Sequence, residues 1–375
     1  MQTERDKTPR NIVLCCDGTS NHFSPDRTNV VKLYQTLIQD ERQIVYYHPG
    51  LGTMEPPGAL TPWRRMFWRT MGLAFGFGLS ADIRDAYVFL MNTYEPGDRV
   101  YLFGFSRGAY TVRALAALLH MYGLLRRGNE AHVPYAIRML GSLGGRHDDK
   151  GSTKAKQVQE FFALAAEYKK FFSTECPLHF VGVWDTVNSV GWVSNPLRLP
   201  YTANNPDIAV GRHALAIDER RAFFRQNMWL PAEPPAPSGP RDMKQVWFPG
   251  SHGDVGGGYP LSESGLSNEA LKWMLKEAGA NGLRVDQAKL NAIVGAPTKT
   301  VVHDQTKGWW IIAEFVPKWH WEKQKIDGEQ KWVSSLRINF FRPRTIPEKP
   351  LVHQSSFTLP DYKPPNLPIP NVPVT

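Results

Sequence analysis

Short apolar runs separated by polar turns recur along the chain, and most of them lead into a stretch whose apolar positions have helical spacing. Asn11–Cys16, Gln43–His48, Arg99–Phe105, Leu178–Trp184 and residues 244–249 are such runs. Short and apolar at successive positions, they read as strands, most of them buried on both faces of a parallel sheet. Thr28 or Asn29 caps a helix reaching residue 39, and further helices are predicted over 81–94, 109–120, 134–140, 153–172 and 267–278, the last capped by Ser267. A small helix is expected within 204–219 and a strand over 221–229. Pro96-Gly97, Pro177, Gly279 and Gly282 punctuate these elements, and residues 231–240 form a proline-rich surface loop. Strands alternating with helices make this an α/β fold, with a mostly parallel central sheet and helices on both faces.

One stretch adds chemistry to the pattern. The run Arg99–Phe105 ends in Gly104-Phe105-Ser106-Arg107-Gly108 and passes directly into a helical pattern. Strand, sharp turn and helix around Gly-x-Ser-x-Gly are the context of a nucleophile elbow. Gly104 and Gly108 keep Cβ atoms out of the space where strand and helix nearly touch, and Ser106 becomes the candidate nucleophile.

A serine hydroxyl needs a general base, and the base needs an acid to hold its tautomer. Asp185 follows Leu178–Trp184, and His252 follows the strand at 244–249. The order Ser106, Asp185, His252 is that of α/β-hydrolases. Asp254 and Asp17 compete as the acid; Asp254 lies only two residues from His252 and suits the Gly256-Gly257-Gly258 turn better. His353 and then His179 compete as the base, His179 from within a strand where packed histidines are common. The oxyanion hole should combine the N–H of Arg107 with one from the loop Asp17-Gly18-Thr19, either Gly18 or Thr19. That loop also reads as a tight turn in which Asp17 satisfies local amides.

Composition narrows the alternatives. The chain has 375 residues, 12% of them aromatic, a net charge of +9 and no internal repeat. It is long enough for one large core, and the charge favours an anionic partner such as an anionic membrane surface. Basic residues are scattered and no nucleic-acid motif appears, so no nucleic-acid partner is expected. Three cysteines offer no disulfide framework and fit a reducing compartment. The N-terminus has no apolar signal core, and no apolar run is long enough to span a bilayer. A soluble, cytoplasmic protein is expected, with export by a route that needs no cleaved signal left open. The serine mechanism calls for no metal and no cofactor; a metal-dependent hydrolase using Asp17, Asp185, His252 and Asp254, or a non-catalytic binding module on a hydrolase scaffold, are the alternatives.

Residues 11–295 read as the catalytic domain with insertions, and residues 296–375 as a Trp/Pro-rich extension of strands and loops packed on it, carrying Trp309, Trp310, Trp319, Trp321 and Trp332. Residues 56–80 are a candidate lid. There Trp63, Phe67 and Trp68 alternate with arginines before a glycine-rich run, a composition suited to lipid headgroups or to an amphipathic turn with snorkelling arginines.

Four stretches, Cys16-Asp17-Gly18-Thr19-Ser20-Asn21, Leu102 to Tyr110, Val183-Trp184-Asp185-Thr186-Val187 and Ser251 to Tyr259, resemble the α/β-hydrolase domain family that includes the family-one type VI secretion lipase effectors. The resemblance spans about residues 11–280 and departs at Ser20, where the family often has an aromatic, and at Gly253, where a serine is common. It implies an α/β-hydrolase-like core, a triad of Ser106, Asp185 and His252, and hydrolysis of esters, with phospholipids as the substrates of effector members. An effector of this kind would meet an inhibitory immunity partner.

Overall fold

A computed structural model of the protein describes residues 8–18, 26–50, 75–143, 152–187, 199–230, 242–295, 298–308 and 329–368, with short stretches at 191–192, 195–196, 311, 314–315, 317–326 and 372–375. Eight parallel strands form the central sheet: β1 (Asn11–Cys16), β2 (Gln43–His48), β3 (Arg99–Phe105), β4 (Leu178–Trp184), β5 (Ile208–Ala216), β6 (Asp242–Phe248), β7 (Leu351–His353) and β8 (Val372–Val374). Their spatial order is β2-β1-β3-β4-β5-β6-β7-β8.

The uniform apolar runs are explained by what covers the two faces. Ile12, Leu14, Leu102 and Val183 point into one core, with helices α2 (Phe75–Thr93), α3 (Arg107–Tyr122), α4 (Val133–Leu143) and α5 (Ser152–Phe172) on that side. Val13, Cys15, Phe103 and Trp184 point into the other, against α1 (Asn29–Thr36) and α6 (Gly265–Ala280). Successive residues of a strand face opposite ways, so burial on both sides requires every position to be apolar. All three cysteines are buried free thiols that pack as small hydrophobes.

The structure corrects several expectations. Residues 204–219 hold the central strand β5, not a helix. Arg212 and His213 interrupt its apolar run, yet both are buried, because Arg212 pairs with Asp242 at 2.7 Å and Glu277 at 2.6 Å. Residues 221–229 form turns rather than a strand; Val187 and Gln226 make an isolated bridge there. Helix α6 starts at Gly265, where Ser267 Oγ donates to Ser264 O instead of capping. The candidate lid lies outside the described residues up to position 74, and positions 75–80 are the first turns of α2, Gly76 and Gly78 included. The C-terminal stretch adds β7 and β8 to the sheet edge and a hairpin of Lys318–Ile326 with Glu329–Arg337.

Strand register brings the carboxyl ends of β1, β3, β4 and β5 level, pairing Cys16 with Gly104, Phe105 with Trp184, and Trp184 with Ala214. Helix α3 leaves this edge so close to β1 that a Cβ on Gly108 would sit 2.1 Å from the Cys16 carbonyl oxygen and 2.6 Å from that of Asp17. Backbone cannot give way there, so Gly108→Ala should lower stability by about 3 kcal/mol. A urea midpoint equal to wild type would contradict this packing.

Candidate active site

Ser106 lies at the turn between β3 and α3 with φ 56° and ψ −116°, a left-handed backbone that non-glycine residues seldom adopt. The close approach of Gly104 to the Gly108 carbonyl, 2.5 Å from where a Cβ would stand, forces the sharp turn. The Ser106 N–H donates to Trp184 O at 3.1 Å, which ties the elbow to the residue before Asp185. Strain held by surrounding packing at such a point is typical of functional sites.

Asp185 is itself in a left-handed conformation, φ 39°, and has no exposure to water. Its N–H donates to Ala214 O at 2.8 Å. Its Oδ2 lies 2.6 Å from His252 Nδ1, and its Oδ1 accepts the Ala216 N–H at 3.0 Å. Two bonds come from Arg344, 2.5 Å to Oδ1 and 2.9 Å to Oδ2. Burial alone would raise the carboxyl pKa; the Arg344 charge and the His252 bond outweigh it and hold Asp185 well below the usual carboxylate range.

His252 opens a short helical turn, His252–Gly256, whose backbone at Ser251 is capped by Asp254. The turn is pinned from two sides. Asn29 Nδ2 donates to Val255 O at 2.9 Å, and the Gly258 N–H donates to Arg27 O at 3.2 Å. A Cβ on Gly256 would strike the Phe105 ring at 1.8 Å, so the turn lies directly on the residue before Ser106. The His252 ring packs between Phe105, 4.6 Å between centroids, and Phe224, 4.8 Å. Its Nδ1 faces Asp185, which leaves Nε2 as the atom able to exchange a proton. Burial lowers its pKa against the opposing pull of Asp185. The His252 N–H donates to Glu219 Oε2 at 3.2 Å, and Glu219 is gripped by Arg221 at 2.9 and 2.8 Å.

The competing residues have other partners. Asp254 accepts from Ser251 and lies 2.6 Å from His303 Nδ1; Asp17 accepts the Thr28 hydroxyl at 2.7 Å and the Tyr47 hydroxyl at 2.9 Å. Among the described residues no group of three or more His, Cys, Asp or Glu is arranged to hold a metal ion, so Asp17, Asp185, His252 and Asp254 do not converge as the metal alternative requires. His353 stacks on Phe248 at 4.5 Å and bonds Ser355, and His179 lies 2.9 Å from Asn281 O, both away from the elbow.

The Gly18 N–H donates to Asp17 Oδ1 at 2.7 Å, within its own loop. The Arg107 N–H opens helix α3, while its guanidinium, brought down to about 10 by burial, feels the charge of Asp82. Thr19, Trp63, Phe67 and Trp68 lie outside the described residues. Sequence reasoning missed Arg344, Phe224, Glu219 and His213. His213 is buried and accepts the Thr186 N–H at 3.2 Å, which steadies the residue after Asp185.

Comparison with known proteins gives the chain's family. A family model described as T6SS, Phospholipase effector Tle1-like, catalytic domain matches residues 10–277, more than half of the chain. The chain belongs to this family. That description names the family's members as phospholipase effectors. The "Uncharacterized protein YEL023C" of Saccharomyces cerevisiae is 37% identical over 231 residues, which is 59% of this chain and 33% of that protein. The chain thus matches about a third of that relative's length. A crystal structure of an uncharacterized protein from Pseudomonas aeruginosa aligns with TM-score 0.45 and 18% identity, covering 78% of this chain and 49% of the other. No helix among the described residues is long and apolar enough to cross a membrane.

The buried histidines make a pH prediction. Burial lowers His213 to about 3 and His353 to about 4, from an ordinary 6.5. The unfolded chain therefore binds protons that the folded chain refuses, and stability falls as pH drops below about 6.5. By about pH 5 each histidine should remove about 2 kcal/mol. Asp185 and Glu219, held below the ordinary carboxylate range, keep their contribution over that interval. Urea midpoints at about pH 7 and about pH 5 should differ accordingly, with a smaller difference in His353→Gln; midpoints independent of pH would count against neutral buried histidines.

Proposed function

We propose that the chain is a serine esterase of the lipase type that cleaves carboxylic esters of lipids, phospholipids first among them, through an acyl-enzyme. The observation that carries this reading is the buried 2.6 Å contact between Asp185 and His252, set against the strained elbow of Ser106. Ser106 Oγ attacks the ester carbonyl carbon while His252 Nε2 takes its proton. Asp185 holds the Nδ1 proton and stabilises the imidazolium that forms. The tetrahedral oxyanion is met by the Arg107 N–H at the start of α3, where the helix dipole adds partial positive charge, and by a second N–H from the loop that follows β1, that of Gly18 or Thr19. Collapse expels the alcohol, protonated by His252, and water then attacks the acyl ester by the same route in reverse.

The net charge of +9 favours action at an anionic membrane surface. Trp63, Phe67 and Trp68, interleaved with arginines, supply the composition of a segment that meets lipid headgroups. In the role of an exported effector, the enzyme would be matched by an inhibitory immunity partner in the producing cell.

A short-chain p-nitrophenyl ester and a long-chain phospholipid in vesicles, offered to wild type and to folded Ser106→Ala, test the mechanism. Both activities should fall on the order of 10⁴-fold or more in the variant; retention of either would sink the acyl-enzyme. Replacing Trp63, Phe67 and Trp68 together by alanine should weaken hydrolysis of vesicles at least about tenfold more than hydrolysis of the soluble ester. Equal loss on both substrates would remove the interfacial role.

A further inference from the structure

We infer that Arg344, carried by the C-terminal extension, is the positioning residue of the triad acid, so that the site is completed by a part of the chain outside the matched residues 10–277. This rests on the Ser106, Asp185, His252 reading proposed above.

A guanidinium has five N–H donors in a fixed plane, and at Arg344 all five have acceptors. Nη1 donates to Asp185 Oδ1 and, at 3.1 Å, to Ala216 O. Nη2 donates to Asp185 Oδ2 and to Phe224 O, and Nε donates to Phe224 O at 3.2 Å. The same side chain therefore fixes both carboxylate oxygens and the backbone of Phe224, whose ring flanks His252. Arg344 is 1% exposed. A bidentate, fully buried fork of this kind sets the rotation of the carboxylate, and with it the direction in which Oδ2 meets Nδ1.

The segment around Arg344 is held on both sides. Arg225 donates to Pro343 O at 3.1 Å and to Arg342 O at 3.0 Å; Asn366 Nδ2 donates to Arg344 O at 3.1 Å. Ile346 is buried with Leu215, Ile217 and Trp247.

The charge has a consequence for proton transfer. Asp185 must stay anionic while His252 takes the Ser106 proton, and Arg344 adds a full positive charge to the hydrogen bonds from the Ala216 N–H and His252 that compensate this buried carboxylate. The other charged groups near the acid and base are mostly paired. Glu219 is held by Arg221, and Asp254 by His303; His213 is buried beside Thr186 and feels the positive charge of Arg113. Removing the Arg344 charge must raise the proton affinity of the Asp185–His252 pair as a whole, whichever atom binds the proton. The base is then blocked at a higher pH.

The test is the pH profile of kcat/KM on a soluble p-nitrophenyl ester for wild type, Arg344→Gln, Arg344→Lys and Ser106→Ala. Arg344→Gln should lose roughly 10- to 100-fold in kcat at neutral pH, with KM little changed and the acidic limb displaced to higher pH. Arg344→Lys should return the limb toward wild type while kcat stays low, because charge is restored without the fork. Folded Arg344→Gln with a wild-type kcat and limb would overturn the inference. If Arg344→Gln does not fold, Arg344→Lys decides alone, since a wild-type kcat there would show that the fork positions nothing. Activity surviving in Ser106→Ala would mark failure of the serine mechanism itself, a separate result.

Discussion

A carboxylate with no exposure to water is tolerable only where its charge and every lone pair are answered, and Asp185 meets that condition with elements from four parts of the chain. Strand β4 delivers it, β5 supplies the Ala216 N–H, the turn after β6 supplies His252, and the C-terminal extension supplies Arg344. Breaking one partner out of a buried ionic group of this kind typically costs about 3–5 kcal/mol. Fold and site are therefore coupled. The same bonds that make the buried charge affordable aim His252 and bring distant segments to one edge of the sheet.

Close backbone approach is the second constraint. Gly108 lets α3 pass against the end of β1, and Gly256 lets the His252 turn lie on Phe105. These two contacts bring the end of β1 and the His252 turn against the elbow, and they leave no space for a side chain. The strained backbone at Ser106 and Asp185 persists because strands in register and packed helices hold it from both sides.

Most strands legible from the sequence are buried on both faces, since burial writes itself as a near-continuous apolar run; the edge strand β2, half-buried over residues 44–47, was legible from its apolar and aromatic residues. Gln43–His48 and Leu178–Trp184 match the expectation residue for residue. Strand β5 was hidden because Arg212 and His213 satisfy their polarity with Asp242, Glu277, Thr186 and Gln245, most of them far away in sequence. The strands β7 and β8, three residues each, are too short to show a period. Ser106, Asp185 and His252 could be named because each follows a strand and carries recognisable chemistry. Arg344 could not, because an arginine among prolines looks like any solvated side chain until the fold brings it to Asp185. Phe224 was misread for a related reason: its segment has the alternation of a strand but serves as the wall behind His252, and Glu219 lies at the end of the stretch read as holding a helix.

The most direct measurement is covalent labelling by a fluorophosphonate, followed by mass spectrometry of the modified peptide. An activated serine should take up one label per chain, on Ser106, with a rate that falls on the order of a thousandfold in Asp185→Asn and in His252→Ala. Label absent from Ser106 in folded protein, or a rate untouched by either substitution, would contradict a serine activated by His252 and Asp185.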